Sequence, residues 1–442
     1  MKVTSSFVCQ ECGYESPKFM GRCPECGEWN SLREFKIQNS KASVSASSYA
    51  TKSQTSPKKL SEINHEEAVR IPTGFSEMDS VFGGGVVMGS VTLLAGDPGI
   101  GKSTILLQTA LNISSKRPKV LYISGEESSE QVKLRASRLT KNLRNENLFL
   151  VSLTDTDAVC NLIAEQKPSF VIIDSIQTME SENLTGLSGS VGQVRYAASE
   201  FIKLAKSLNI PVILVGHVTK EGMVAGPMIL SHMVDTVIFL EGEKNTGTRL
   251  LRSLKNRFGP VDEVGVFEML DAGMQELKNP EEIFLTKGNN APGSVMVANM
   301  EGTRAFLVEV QALAVFSKLP MPRRVVSGVD YKRVELLLAV LQKHAHLPVD
   351  TMDIFVNVAG GIKITDPGAD LGICLAVLSS IKNINLSKHV GIAEVGLLGE
   401  LRTPPFLEKR IAQSKKLGMN KVITPKNFKS IVDVVRELSK EK

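Results

Sequence analysis

The sequence predicts an α/β protein, and three observations carry that prediction. Five short, almost continuously apolar runs recur at spacings that leave room for helices: KVLYIS (119–124), LFLVSL (148–153), SFVIIDS (169–175), IPVILVGHV (210–218) and DTVIFLE (235–241). Parallel strands covered on both faces read this way. Ahead of them, VTLLAGDPGIGKSTILLQTA (91–110) joins a strand, a glycine loop and a helical pattern. Third, four cysteines crowd into residues 9–26. A chain of 442 residues exceeds one comfortable core. Four segments are expected: a four-cysteine zinc ribbon over 1–36, a flexible linker over 37–60, a nucleotide-binding α/β domain over 61–285 and an α+β domain over 286–442.

Hydrophobic residues at 42% and charged residues at 22% are ordinary for a soluble chain. No apolar run approaches 18 residues and the first residues lack a signal-peptide pattern, so no membrane partner and a cytoplasmic location are expected. The net charge of +5 is unevenly placed: residues 1–60 carry +4, 61–289 carry −6 and 290–442 carry +7. Basic ends suit contact with a polyanion, although a modest surplus also serves solubility.

CQECGYESPKFMGRCPECGEWN contains two C-x2-C pairs, Cys9/Cys12 and Cys23/Cys26, each followed by a glycine. Each pair bends into a knuckle that aims two sulfurs at one point, and four thiolates satisfy tetrahedral Zn²⁺ with no open position. A redox C-x-x-C comes singly, and two disulfides do not suit a reducing compartment. So short a module has little apolar area of its own, and metal binding supplies its folding energy. Cys160 and Cys374, in AVCNLI and LGICLAVL, read as buried reduced thiols. Residues 37–60, rich in Ser, Thr, Ala and Lys, read as the linker.

Gly96, Asp97, Pro98, Gly99, Ile100, Gly101, Lys102 and Ser103 fit G-x-x-x-x-G-K-[ST] in full, and Thr104 adjoins them in the expected ATP site. Glycines turn backbone N–H groups toward phosphate oxygens, Lys102 reaches the β- and γ-phosphates, and Ser103 ligates Mg²⁺. FGGGVVMG (82–89) lacks a dinucleotide fingerprint and reads as a turn. Asp174, ending FVIID, is the expected Walker B carboxylate for Mg²⁺, with a helix cap as the plainer alternative. Glu126 in YISGEES stands where a carboxylate polarises the attacking water, with Glu127 the less favoured choice. His217 ends another strand, structural or sensing the γ-phosphate.

The arrangement resembles the RecA-type ATPase core, in which two loops line a nucleic-acid path. By position these are residues 180–193 and 218–231, with Lys220 the clearest phosphate contact. Lys255 and Arg257, two apart in LRSLKNRFGP, share one strand face. Either they form a solvated face, or in a ring they act in trans on the next subunit's γ-phosphate, with Gly259-Pro260 ending the strand.

From residue 290 onward the chain looks like the proteolytic domain of the Lon family. Asp370 in ADLG stands where that family has its serine nucleophile, and Arg402 in GELR where it has its lysine base. A carboxylate is no hydroxyl nucleophile and a guanidinium no base, so peptidase chemistry is expected to be lost. The four-cysteine ribbon, GDPGIGKST, KNRFG and the Lon-like end, in that order, resemble one bacterial DNA-repair family, RadA (Sms), over nearly the whole chain. The resemblance implies a DNA-dependent ATPase that processes recombination intermediates on single-stranded and branched DNA. It further implies a homo-hexameric ring, similar to DnaB-type helicases, and a recombinase partner. The Lon-like domain would assemble the ring and contact DNA through Arg323, Arg324, Lys332 and Arg333. The competing readings are an ATP-driven protein unfoldase or protease and a RecA-like signalling kinase.

Overall fold

The computed structural model describes residues 5–9, 14–25, 27–36, 59, 69–141, 144–184, 186–217, 227–242, 247–261, 263–277, 291–359 and 363–440. The chain divides into two compact units, Met1–Glu276 and Leu277–Lys442. Near the start of the first lies a three-stranded antiparallel sheet of β1 (Ser5–Cys9), β2 (Glu15–Ser16) and β3 (Leu32–Lys36), in the order β2-β1-β3.

A short pair, β4 (Arg70–Ile71) and β5 (Val86–Val87), precedes the main sheet. That sheet holds β6 (Val91–Gly96), β7 (Val120–Ser124), β8 (Leu148–Ser152), β9 (Phe170–Asp174), β10 (Val212–His217) and β11 (Thr236–Glu241) in parallel. An antiparallel extension adds β12 (Thr248–Asn256), β13 (Val264–Leu270) and β14 (Gly273–Glu276). The nine strands run β14-β13-β12-β11-β6-β10-β9-β7-β8. The six parallel strands are those the apolar runs predict.

Continuous apolarity follows from burial on both faces. Leu94, Tyr122, Ile172, Ile213 and Ile238 pack on one side with helices α1 (Ser76–Phe82), α2 (Lys102–Ser114) and α3 (Ser129–Leu139). Their strand neighbours Leu93, Leu121, Ile173, Leu214 and Val237 pack on the other with α4 (Thr156–Gln166), α5 (Val191–Leu208) and α6 (Pro227–Met233). Each such side chain is worth about 1.5–3 kcal/mol of burial. The result is a rigid sheet whose carboxyl ends carry loops, the place where open α/β sheets bind ligands.

The second unit is α+β. A mixed sheet ordered β17-β18-β16-β15-β19-β22 contains β15 (Ser294–Glu301), β16 (Arg304–Phe316), β17 (Arg324–Ser327), β18 (Met352–Val358), β19 (His389–Gly391) and β22 (Lys421–Ile423). A separate hairpin pairs β20 (Glu394–Val395) with β21 (Leu401–Arg402). The apolar helix Asp370–Lys382 packs on β15 and β16. Among the described residues no helix is long and apolar enough to cross a membrane.

Candidate active site

The loop between β6 and α2 leaves the middle of the parallel sheet, between β11 and β10. Gly96 (φ 156°) is obligatory, because a β-carbon there would collide with the Leu240 carbonyl oxygen on β11. Lys102 opens α2 and is almost wholly buried, with its ammonium donating to Gly96 O and Asp97 O, both at 2.9 Å. Burial lowers its pKa to about 8, against the opposing pull of Asp174, Asp97 and Glu126. Those three acids and one buried cation therefore share a site. Ser103 and Thr104 are half-buried in the first turn of α2, where the helix presents its unsatisfied N–H groups. A buried cation on glycine-loop carbonyls beside a helix start fits the phosphates of ATP.

Asp174 ends β9, buried, and accepts a 2.6 Å hydrogen bond from the Tyr122 hydroxyl through Oδ2. The Asp174–Ser175 peptide is cis. Ser175 Oγ donates to Glu126 Oε1 at 2.8 Å, and His217 Nε2 lies 3.3 Å from the same oxygen. Three strand ends, those of β7, β9 and β10, thus bring Glu126, Ser175 and His217 together. Glu127 instead pairs with Arg135 and so is engaged elsewhere. The Glu126 carboxylate is half-exposed and open to water. His217 Nδ1 and Gln177 Oε1 are buried without a hydrogen-bond partner among the described residues, and Gln177 Nε2 donates to His217 O at 3.2 Å.

Two residues of the site escape any motif. Tyr122 holds the Asp174 carboxylate from the neighbouring strand, and Arg249 on β12, buried, donates from Nε to Ile100 O in the loop at 3.0 Å. Arg249 alternates inward with Leu251 and Ser253, and that parity was the available signal. Where Asp174 holds Mg²⁺, Tyr122→Phe should raise the Mg²⁺ concentration needed for nucleotide binding by about tenfold. A Mg²⁺ titration read with a fluorescent nucleotide checks this, and an unchanged midpoint overturns it.

Lys255 and Arg257 lie away from this site. Asn256 is level with Thr236 and Thr92, near the start of β6, whereas the loop leaves from Gly96 at its end. Four residues along the strands is about 13 Å. The strand ends at Asn256, before Gly259-Pro260, and Arg70 Nη2 and Asn256 Nδ2 tie it to the glycine turn at 82–85 through Phe258 O (2.6 Å) and Phe82 O (3.2 Å). Lys255 Nζ donates to carbonyls at the end of α6, and Arg257 Nη1 to Asp235 Oδ1 at 3.1 Å.

Of the two segments expected to meet nucleic acid, 180–193 has its described residues tied together by Gln193, which bonds Ser181 N, Ser181 O and Leu184 O, and its sequence contains no Lys or Arg. Lys220, with all of 218–226, lies outside the described residues.

In the second unit Arg333 forks onto Asp370, with Nε on Oδ1 at 3.0 Å and Nη2 on Oδ2. Asp370 also accepts from Val395 N at 3.1 Å. Burial raises its pKa while Arg333 opposes the rise. Arg402, on the strand paired with Glu394–Val395, bonds Glu400 at 2.6 Å and stays mostly exposed. Arg324 points its guanidinium at the carbonyls of Met352 and Val349. Of the four basic residues expected to meet DNA, Arg323 and Lys332 are the exposed ones.

In the ribbon Cys9 N donates to Tyr14 O and Cys23 N to Glu28 O, each at 2.9 Å, so both C-x2-C segments close with the same five-residue step. Cys9 and Cys23 are buried together with Leu32. Repeated turns carrying buried thiols fit a tetrathiolate metal; Cys12 and Cys26 lie outside the described residues. Purified protein should contain about one zinc ion per chain, and Cys23→Ala should lose it while nucleotide binding persists. Elemental analysis finding no zinc in freshly reduced parental protein would refute the site. Cys160 and Cys374 are buried, as expected, and burial raises the Cys160 thiol pKa to about 12.

A parallel sheet, a complete phosphate loop, a buried carboxylate ending β9 and a ribbon of cysteine turns define a P-loop ATPase with a metal-binding appendage. Family models agree: one described as "AAA domain" matches residues 57–223, and one described as "Rubredoxin metal binding domain" matches 7–34. Curated proteins named "DNA repair protein RadA" match along almost the full length. Those of Bacillus subtilis and Listeria monocytogenes are 46% and 45% identical, each covering 96% of this chain and 93% of the relative. That of Streptococcus pyogenes serotype M6 is 44% identical over 98% of this chain and 95% of its own. The chain belongs to the RadA family of DNA repair proteins.

Proposed function

We propose that this protein is a DNA-dependent ATPase of recombinational repair that moves branched intermediates along DNA. The observation that carries the reading is the meeting of Glu126, Ser175 and His217 beside Lys102 and Asp174. In this reading Lys102 neutralises the β- and γ-phosphates, Ser103 and Asp174 hold Mg²⁺, and Glu126 takes up the proton of the attacking water. His217 touches Glu126, and the chain continues from it directly into residues 218–226. In this reading His217, at the end of the strand that leads into the expected DNA loop, relays the state of one to the other.

The protein acts as a homo-hexameric ring in the cytoplasm, with the zinc ribbon on the 37–60 linker, the ATPase over 61–285 and a Lon-protease-like scaffold over 286–442. Arg323 and Lys332 have the free reach that phosphate contact needs, and a recombinase is the expected partner. The protease alternative is disfavoured by Asp370, whose oxygens accept from Arg333 and Val395, leaving no nucleophile at that position. Measuring ATP turnover with and without single-stranded oligonucleotide separates the readings. Stimulation of several-fold or more is expected, and turnover indifferent to DNA would sink the DNA-dependent reading.

A further inference from the structure

We propose that Ser175 is a positioning residue for hydrolysis: it holds Glu126 by one carboxylate oxygen and leaves the other for the attacking water. The proposal rests on the reading of Glu126 as the group that takes up the water's proton. Ser175 is fully buried and directly follows Asp174, the carboxylate that ends β9. Its hydroxyl donates to Glu126 Oε1 at 2.8 Å, and His217 Nε2 approaches that same oxygen at 3.3 Å. Among the described residues no hydrogen bond engages Oε2. A free glutamate side chain samples several rotamers, whereas a base works only while one oxygen faces the water. Pinning Oε1 supplies that direction.

The backbone around the pair is built for close approach. Ser124 of β7 stands beside Asp174 of β9, and Gly125 N donates to Asp174 O at 2.8 Å. A β-carbon on Gly125 would lie 1.9 Å from Thr178 Oγ1, so glycine is what lets the two segments come this near. Thr178 Oγ1 in turn donates to Ser175 O at 2.8 Å and holds Ser175 from its carbonyl side. On the other flank Glu127 N donates to Ser124 Oγ at 3.0 Å, and the Glu127 carboxylate pairs with Arg135. Both chain neighbours of Glu126 are therefore tied down, and what remains to be set is the direction of its carboxylate. Ser175 sets it from the residue next to Asp174, so the base is fixed relative to the carboxylate expected to hold Mg²⁺. His217 is the lesser restraint, because its contact is longer and its side chain is 30% exposed.

ATP turnover at saturating Mg²⁺ would be measured for the parent, Ser175→Ala, Glu126→Gln and the double variant, with single-turnover conditions for the slow ones. Ser175→Ala is expected to lower kcat by about tenfold while KM for ATP stays within about twofold, the effect of losing one hydrogen bond to a charged group that acts in the chemical step. Glu126→Gln should lose about a hundredfold. Adding Ser175→Ala to Glu126→Gln should then change turnover by less than about twofold, since no base is left to aim. A general weakening of the fold would instead cost both backgrounds alike. If Ser175→Ala does not fold, Ser175→Cys keeps the volume, gives up the strong donor and carries the same expectations. Parental kcat in the serine variant, or the same tenfold loss in both backgrounds, overturns the proposal and leaves the role of Glu126 standing. Parental turnover in Glu126→Gln overturns both.

Discussion

Lys102→Ala is expected to leave a folded protein whose ATP turnover is lower by at least about a hundredfold, the usual cost of one preorganised donor to a developing charge. Lys102 is buried and lies on Gly96 O and Asp97 O, with Asp174 and Glu126 among the charges acting on it. Removing its ammonium takes away the cation that would move onto the β- and γ-phosphates. It removes little from the core, whose side chains on this face are supplied by Ile105, Leu106 and Leu94. Burial disfavours its charged form, so loss of the ammonium costs the fold little. Circular dichroism and thermal unfolding should therefore match the parent. Hydrolysis at the parental rate would remove the loop from the mechanism.

The parts of this site legible in the sequence are those the chain writes contiguously. The phosphate loop is a local motif, and the six parallel strands announce themselves because both faces are buried and alternation disappears. Glu126, Asp174 and His217 could be placed because each ends such a strand. Tyr122 and Arg249 could not, because their partners, Asp174 and Ile100, are 52 and 149 residues away and depend on strand order. The β13–β14 hairpin escaped for a related reason: its residues lack a continuous apolar run, since Glu268, Met269 and Leu270 are only partly covered. Lys255 is the clearest case. Two-residue spacing expects Lys255 and Arg257 on one strand face, but the strand ends at Asn256, so Arg257 lies just past it. The register shift that pairs Val237 with Lys255 but Ile238 with Ser253, skipping Leu254, leaves no mark in the sequence.

In the proposed ring, Arg257→Ala is expected to lower ATP turnover by about a thousandfold, the low end of what an arginine supplied from a neighbouring subunit contributes. Among the described residues its guanidinium bonds Asp235 Oδ1, and it is 51% exposed. A guanidinium carries five donors, so it retains capacity for further acceptors. The same stretch exposes Leu254, Phe258 and Val261, apolar side chains that suit a protein neighbour better than water. Its own phosphate loop is out of reach at the opposite ends of the strands, so in the proposed ring a nucleotide phosphate that it meets would belong to another subunit. The structural contribution of the Asp235 pair has to be separated from this role. Asp235 is buried and keeps Val91 N when Arg257 is lost, with Lys206 3.8 Å away. Arg257→Lys preserves a cation for Asp235 but loses the planar fork, so it should unfold with the parent and still turn over slowly. Rings mixed from Arg257→Ala and Lys102→Ala should then regain activity, because one chain keeps the pocket and the other keeps the arginine. Activity that never exceeds the sum of the two parents, in mixtures shown to co-assemble, would return Arg257 to the role of a surface partner of Asp235.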